Sequence, residues 1–231
     1  MTRLLAFLCT VLCFGCAPAP GQKPAAPSRA AADLAGATTV ATAAVAQPRI
    51  VFLGDSLTAG YGLEVAESYP SLIQARMRAA GYPYEVVNAG VSGDTSAGGL
   101  RRLDWALDGD VRVLVVALGG NDGLRGLPVL ELKRNLDEII TRSQSKGIAV
   151  VLAGMEAPPN FGSVYTAEFR AVYRDLARLR RVPLVPFLLD GVAGNPALNI
   201  RDGIHPNPKG ARIVETTVWR ALEPLLLRSP R

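Results

Sequence analysis

From residue 49 onward, the chain alternates between short apolar runs and longer stretches in which apolar residues recur every three or four positions. A short apolar run bounded by polar residues predicts a buried strand, and the recurring spacing predicts an amphipathic helix. Five strands are predicted, at residues 50–53, 85–87, 111–118, 148–152 and 184–187. Five helices are predicted between and after them, at residues 68–81, 95–107, 128–146, 163–181 and 208–227.

Helix signals support two of these helices in particular. Ser68 is a good N-cap, Pro70 is tolerated in a first turn, and Gly81 is typical of a helix end. The first helix is expected to bury one face, formed by Leu72, Ile73, Met77 and Ala80. In the helix at residues 128–146, the apolar stripe consists of Leu132, Leu136, Ile139 and Ile140.

Strands with few polar residues, separated by helices, are typical of a parallel sheet that is covered on both faces. The sequence therefore predicts an α/β fold: a three-layer α/β/α domain with a five-stranded, parallel, doubly wound sheet of the flavodoxin-like kind. Ligand sites in such folds form beyond the carboxyl ends of the strands. The residues that directly follow each strand are therefore the candidates for chemistry.

Composition limits the function classes. The chain has 231 residues, 49% hydrophobic and 19% charged, which suits a globular body with one sizeable core. The net charge of +5 is spread along the chain with no basic run longer than a pair, so we expect no nucleic-acid partner. The only cysteines are Cys9, Cys13 and Cys16, so the body has no disulfide and no cysteine-ligated metal.

The N-terminus reads as an export signal at residues 1–16, with a positive end at Arg3 and an apolar stretch at residues 4–15 that is too short to span a bilayer comfortably. The pair Gly15-Cys16 resembles the end of a bacterial lipoprotein signal, which implies lipidation of Cys16 and a membrane tether. The alternative is an ordinary secretory signal cleaved near residues 17–19. Residues 17–48, rich in Ala and Pro, are expected to form a flexible tether to a domain at residues 49–231.

Four polar clusters follow predicted strands, at residues 54–57, 88–94, 119–122 and 202–206. A parallel sheet brings all four to one edge. Ser56 needs a neighbouring base to act as a nucleophile, and His205 is the only histidine in the chain. Asp202, three residues earlier, can contact one imidazole nitrogen while the other accepts the proton of Ser56. Taken singly, each of these residues is more often structural than catalytic.

Together, the clusters resemble the SGNH hydrolases, also called the GDSL esterase/lipase family, over most of the chain after residue 50. The matching motifs are "LGDSLTAGYG", "NAGVSGDTSAGGL", "LGGNDGLRGLP" and "DGIHPN". The match is closest to the bacterial periplasmic branch that holds thioesterase, lysophospholipase and arylesterase activities. The resemblance implies a serine hydrolase of carboxylic esters, with thioesters as further substrates.

The resemblance also implies the role of each motif residue. Ser56 is the nucleophile, His205 the general base and then acid, and Asp202 the orienting carboxylate. The oxyanion hole would use the backbone N–H groups of Ser56 and Gly93 and the side-chain amide of Asn121. No metal and no cofactor are implied.

Some residues near these motifs are interpreted as structural, and two alternatives to the main function stay open. Asp55, Asp94 and Asp122 are interpreted as scaffold. The loop at residues 123–128 either borders the acyl-binding cleft or is a plain connection. Two alternatives to the main function are a carbohydrate O-acetylesterase and a catalytically silent envelope-binding protein.

Overall fold

The computed structural model of the protein describes residues 47–226. The predicted export signal, Cys16 and nearly all of the predicted tether lie outside these residues. The described chain contains a five-stranded sheet in which every pairing is parallel and the strand order is β2-β1-β3-β4-β5. The strands are β1 (Arg49–Gly54), β2 (Glu85–Gly90), β3 (Val111–Ala117), β4 (Ala149–Ala153) and β5 (Leu184–Val185).

Eight α-helices accompany the sheet in the described residues. They are α1 (Ser56–Ala59), α2 (Tyr69–Ala80), α3 (Ser96–Arg101), α4 (Leu103–Ala106), α5 (Gly120–Leu124), α6 (Val129–Ser145), α7 (Ser163–Arg180) and α8 (Pro208–Leu222). Short 3-10 helices add one turn each at Val65–Glu67, Pro159–Phe161 and Glu223–Leu225. None of the helices within residues 47–226 is both long and apolar enough to cross a membrane.

The layered arrangement confirms the predicted fold class. Consecutive residues of β1, β3 and β4 are buried, so both faces of the sheet are covered. Helix α2 packs against α8, while α6 packs against α3 and α7. Strand order 2-1-3-4-5 is the flavodoxin-like order of doubly wound sheets.

The predicted helix caps are correct for α2, where the Ser68 side chain accepts from the Ser71 N–H and Gly81 has a left-handed φ of 77°. The predicted buried face is only partly right. Ile73 and Met77 are fully buried, but Ala80 is exposed because the helix ends directly after it.

Three predicted elements differ from the structure. The helix predicted at residues 95–107 is divided into α3 and α4 by Arg102, whose backbone leaves the helical conformation at φ −103° and ψ 10°. The strand predicted at residues 184–187 stops before Pro186, which has no N–H for a sheet hydrogen bond. The last helix ends at Leu222 and tightens into the 3-10 turn that contains Pro224.

The register of the sheet determines where the functional loops lie. Gly54, the last residue of β1, pairs with Gly90 at the end of β2 and with Ala117 at the end of β3. These three strands therefore end at the same level, and the polar residues that follow them share one edge of the sheet.

Candidate active site

Ser56 is the first residue of α1, two positions after β1 ends. Asp55 caps this helix, because its Oδ1 accepts the Leu57 N–H at 3.0 Å. Helix α1 lies directly on the strand ends: a Cβ on Gly54 would overlap the Thr58 side chain, and one on Gly90 would overlap the Ala59 backbone. The two glycines therefore allow the close approach that turns the chain back at Ser56.

A chain of hydrogen bonds links Ser56 to the loop before α8. The Oγ of Ser56 lies 2.8 Å from Nε2 of His205, and Nδ1 of His205 lies 2.6 Å from Oδ2 of Asp202. The three predicted residues are thus in direct contact, although Ser56 and His205 are 149 positions apart in sequence. This is the geometry of a nucleophile, a base and an orienting carboxylate.

The Asp202 carboxylate also accepts hydrogen bonds from the backbone. Its Oδ1 receives the N–H groups of Ile204 at 2.9 Å and His205 at 3.0 Å. The His205 N–H is the largest cause that lowers the pKa of Asp202, followed by the Ile204 N–H, and the pKa falls to about 2. An ionised carboxylate favours the tautomer that carries the proton on Nδ1, which leaves Nε2 free to accept the proton of Ser56.

Two further contacts fix the His205 loop. The Ile200 N–H donates to the His205 carbonyl at 2.8 Å, and Asn199 forms an antiparallel bridge with Pro206. The ring of Tyr61 lies over the imidazole, with centroids 4.7 Å apart. Sequence reasoning missed Tyr61, because a tyrosine in a glycine-rich turn gives no sign that a residue 144 positions later packs on it.

The predicted oxyanion donors follow three neighbouring strands. The Ser56 N–H has no acceptor within α1, because the first N–H groups of a helix are free. Gly93 adopts a φ of 83°, which a residue with a side chain tolerates poorly. Space is not the reason for glycine there, since an added Cβ would meet nothing closer than the Arg125 guanidinium at 3.9 Å.

The side-chain amide of Asn121 connects the other two loops. Its Nδ2 donates to the Asp94 carbonyl at 2.9 Å and lies 3.4 Å from Oδ2 of Asp55. The amide therefore lies between the residue after Gly93 and the residue before Ser56. The three predicted donor residues therefore follow the carboxyl ends of β1, β2 and β3, and the Asn121 amide bridges the loops that hold the other two.

The three acidic residues interpreted as scaffold all make structural contacts. Asp55 is 3% exposed, and burial raises its pKa from 3.8 to about 6. Asp122 accepts the N–H of Ser96 at 2.8 Å and its hydroxyl at 2.5 Å, which joins α5 to α3. The Asp94 carboxylate is paired with Arg102 at 2.6 Å. The side-chain hydrogen bonds of these three residues go to Leu57, Asn121, Ser96 and Arg102 rather than to Ser56 or His205.

The loop at residues 123–128 is hydrogen-bonded to the loop after β2 and to helix α7. Arg125 donates to the Gly93 carbonyl at 2.9 Å, and the Tyr165 hydroxyl donates to the Leu127 carbonyl at 2.8 Å. Leu124 is half exposed beside these contacts. The cavity under Ser56 and His205 holds only about 10 Å³, at most one water molecule.

Within residues 47–226, no group of three or more histidine, cysteine, aspartate or glutamate side chains is placed to hold a metal ion.

Comparison with known proteins gives a consistent picture. Residues 52–213 match the model of the GDSL-like lipase/acylhydrolase family. Esterase TesA of Pseudomonas aeruginosa is 41% identical over 191 residues, which cover 82% of this chain and 95% of the relative. The Escherichia coli K12 protein named thioesterase 1/protease 1/lysophospholipase L1 is 35% identical over 184 residues, covering 79% and 87%. A crystal structure of TesA, 41% identical, superposes with a TM-score of 0.74 and covers 77% of this chain and 99% of that one.

Proposed function

This chain belongs to the GDSL-like lipase/acylhydrolase family and is a carboxylic ester hydrolase, and from that premise we propose that it works through an acyl-enzyme on Ser56. The observation that carries the proposal is the unbroken contact from Ser56 Oγ through His205 to Asp202, at 2.8 and 2.6 Å. A serine hydroxyl becomes nucleophilic only when a base accepts its proton, and His205 is the only histidine available.

In the first half of the reaction, Oγ of Ser56 attacks the carbonyl carbon of the ester as Nε2 of His205 takes the hydroxyl proton. The carbonyl oxygen becomes an oxyanion, which the N–H groups of Ser56 and Gly93 and the Asn121 amide stabilise. The imidazolium then donates its proton to the leaving alcohol as the C–O bond breaks. Asp202 stays ionised throughout and stabilises the imidazolium.

In the second half, His205 takes a proton from water, and the resulting hydroxide attacks the acyl-Ser56 carbonyl. The same donors stabilise the second oxyanion, and the imidazolium returns the proton to Oγ of Ser56 as the acid leaves. Loss of one such donor typically lowers turnover on the order of 100- to 1,000-fold.

Thioesters are proposed as further substrates. The Escherichia coli relative carries the name thioesterase as well as lysophospholipase. A thiol is a better leaving group than an alcohol and places no extra demand on His205 as an acid.

A fluorophosphonate probe tests the nucleophile. It should label the wild-type protein at Ser56 alone, and Ser56→Ala should abolish both labelling and hydrolysis of p-nitrophenyl esters. Ser92→Ala is the matched control. Ser92 is an exposed serine next to Gly93, and the His205 ring is hydrogen-bonded to Ser56 and Asp202 instead, so this variant should be labelled at the wild-type rate. Labelling that persists in Ser56→Ala together with activity would disprove the assignment. A panel of acyl-CoAs and lysophospholipid then ranks the substrates.

We also propose that the protein is exported and held at a bacterial membrane through lipidated Cys16. The support is the apolar stretch after Arg3, the pair Gly15-Cys16, and the long segment rich in Ala and Pro that follows. Such a tether would let the catalytic domain work at a distance from the bilayer.

A further inference from the structure

Arg102 lies at the break between α3 and α4, and its guanidinium makes three hydrogen bonds. Nη2 donates to the Gly54 carbonyl at 2.8 Å, Nη1 to the Ala89 carbonyl at 2.7 Å, and Nε to Oδ2 of Asp94 at 2.6 Å. Both charged side chains of the pair are only 18% exposed. One planar group therefore joins the carboxyl ends of β1 and β2 to the loop that follows β2.

Each of these contacts leads directly to a proposed oxyanion donor. Gly54 is two residues before Ser56, and its carbonyl also accepts the Val91 N–H at 3.0 Å. Asp94 directly follows Gly93. The Asp94 carbonyl is in turn the acceptor that holds the Asn121 amide at 2.9 Å. The guanidinium is thus within two residues, or one hydrogen bond, of all three donors, although it contacts none of them.

Such a hole works only when its donors lie within 2.7–3.1 Å of the place where the oxyanion forms. A misplacement of about 1 Å can lower a rate on the order of 100-fold. The guanidinium holds its donors in a rigid planar fork, whereas a lysine ammonium carries three donors around one atom on a flexible stem and cannot reproduce that spacing. The strand-end carbonyls of Gly54 and Ala89 are natural acceptors for such a fork.

We propose that Arg102 is a positioning residue that sets the spacing of the oxyanion donors at Ser56, Gly93 and Asn121. It acts through the backbone of the strand ends and through Asp94, and it does not touch the substrate. The inference rests on the proposed reaction at Ser56. It predicts that loss of Arg102 slows the chemical step in protein that is still folded.

The test compares Arg102→Met and Arg102→Lys with the wild type on a short-chain p-nitrophenyl ester. We expect kcat to fall roughly 10- to 100-fold in both variants, with KM within about threefold, because the oxyanion exists only after attack. The rate of inactivation by the fluorophosphonate should fall in parallel, since its phosphoryl oxygen uses the same donors. Wild-type kcat in Arg102→Lys would show that the charge alone suffices and would overturn the proposal.

Arg180→Met is the matched control. Arg180 forms a similar pair with Asp137, at 2.6 and 2.7 Å, and it ends α7 at the opposite edge of the sheet, before β5 begins. The Arg180→Met variant should lose thermal stability, as expected when a purely structural arginine is removed, and should keep the wild-type kcat. An equal loss of kcat in Arg180→Met would refute a specific role for Arg102.

If Arg102→Met does not fold, Asp94→Asn provides the alternative test. It keeps the Asp94 carbonyl that holds Asn121 and removes only the charge that fixes Arg102, so kcat should fall about tenfold. Unchanged kcat in that variant would overturn the proposal. If the wild-type protein labels at Ser56 but these variants react at the wild-type rate, this inference alone fails. If the wild type does not label at Ser56, the proposed function fails first.

Discussion

Replacing Asp55 by asparagine should remove a pH dependence of stability that comes from one buried carboxyl group. Asp55 is 3% exposed, and its Oδ1 accepts the Leu57 N–H at 3.0 Å. Its Oδ2 has only the long contact of 3.4 Å with the Asn121 amide. Desolvation by burial therefore dominates and raises the pKa from 3.8 to about 6, while the Leu57 N–H and the nearby His205 lower it in part.

The size of the effect follows from the pKa. A rise from 3.8 to about 6 is about two units, and one unit corresponds to 1.36 kcal/mol, so the difference is about 3 kcal/mol. Because the folded pKa is the higher one, protonated Asp55 contributes stability that is fully present below pH 3.8. That stability is lost as the pH rises through about 6.

Asp202, the other carboxyl group with a shifted pKa, does not titrate between about pH 4 and about pH 6. The pKa of Asp202 is lowered from 3.8 to about 2, so the stability it contributes is present above pH 3.8 and is lost as the pH falls through about 2. From about pH 4 to about pH 6, a change in relative stability therefore reports Asp55. Asparagine keeps an oxygen that can accept the Leu57 N–H, so the cap of α1 should survive the substitution.

Urea unfolding of the wild type and Asp55→Asn, at intervals from about pH 4 to about pH 7, measures this directly. The free energy of unfolding of Asp55→Asn, relative to the wild type, should rise by about 2 kcal/mol between about pH 4 and about pH 7, most of the full difference. A constant offset between the two proteins at every pH would refute the reasoning, because it would mean that Asp55 titrates alike in the folded and unfolded states.

Two further predictions concern the base and the tether. His205→Ala should lower kcat at least 1,000-fold without unfolding the domain. Wild-type activity should fall in acid, because a protonated imidazole accepts no proton. A flat pH–rate profile, measured with the chemical step rate-limiting, would contradict a histidine base. Cys16→Ser should leave the precursor unprocessed or misrouted, whereas the wild type should partition with membranes; mass spectrometry that finds a free mature N-terminus within residues 18–30 would exclude lipidation.

Periodicity was sufficient to predict the sheet, because β1, β3 and β4 are short apolar runs buried on both faces, and the edge strands β2 and β5 still contain short apolar runs of their own. It could not find α1 or α5. These helices have four and five residues, too few to show a helical repeat, and the glycines at their ends predict turns instead. The same turn chemistry predicted polar loops at the carboxyl edge of the sheet, so the candidate residues could be named without the short helices that carry them.

The contacts that support the site were harder to predict, because they join residues far apart in sequence. In the sequence Arg102 is simply one half of the basic pair Arg101-Arg102, and no periodic pattern indicates that its guanidinium reaches Gly54, 48 residues earlier. Tyr61 likewise packs on His205 from another loop. Motif residues can be recognised by their chemistry, whereas the residues that position them become visible only when the strands are aligned.

The surroundings of Asn121 explain why an amide suits this position better than a carboxylate. The atoms nearest its Nδ2 are the Asp94 carbonyl and the Asp55 carboxylate, and both are acceptors. Only the NH₂ group can face them, so the amide cannot rotate by half a turn to present its oxygen there. At neutral pH most of the Asp55 carboxyl group is ionised, since its pKa is about 6. An aspartate at position 121 would add a second negative charge beside Asp55 and would bring no donor to the Asp94 carbonyl, whereas the asparagine amide donates to it.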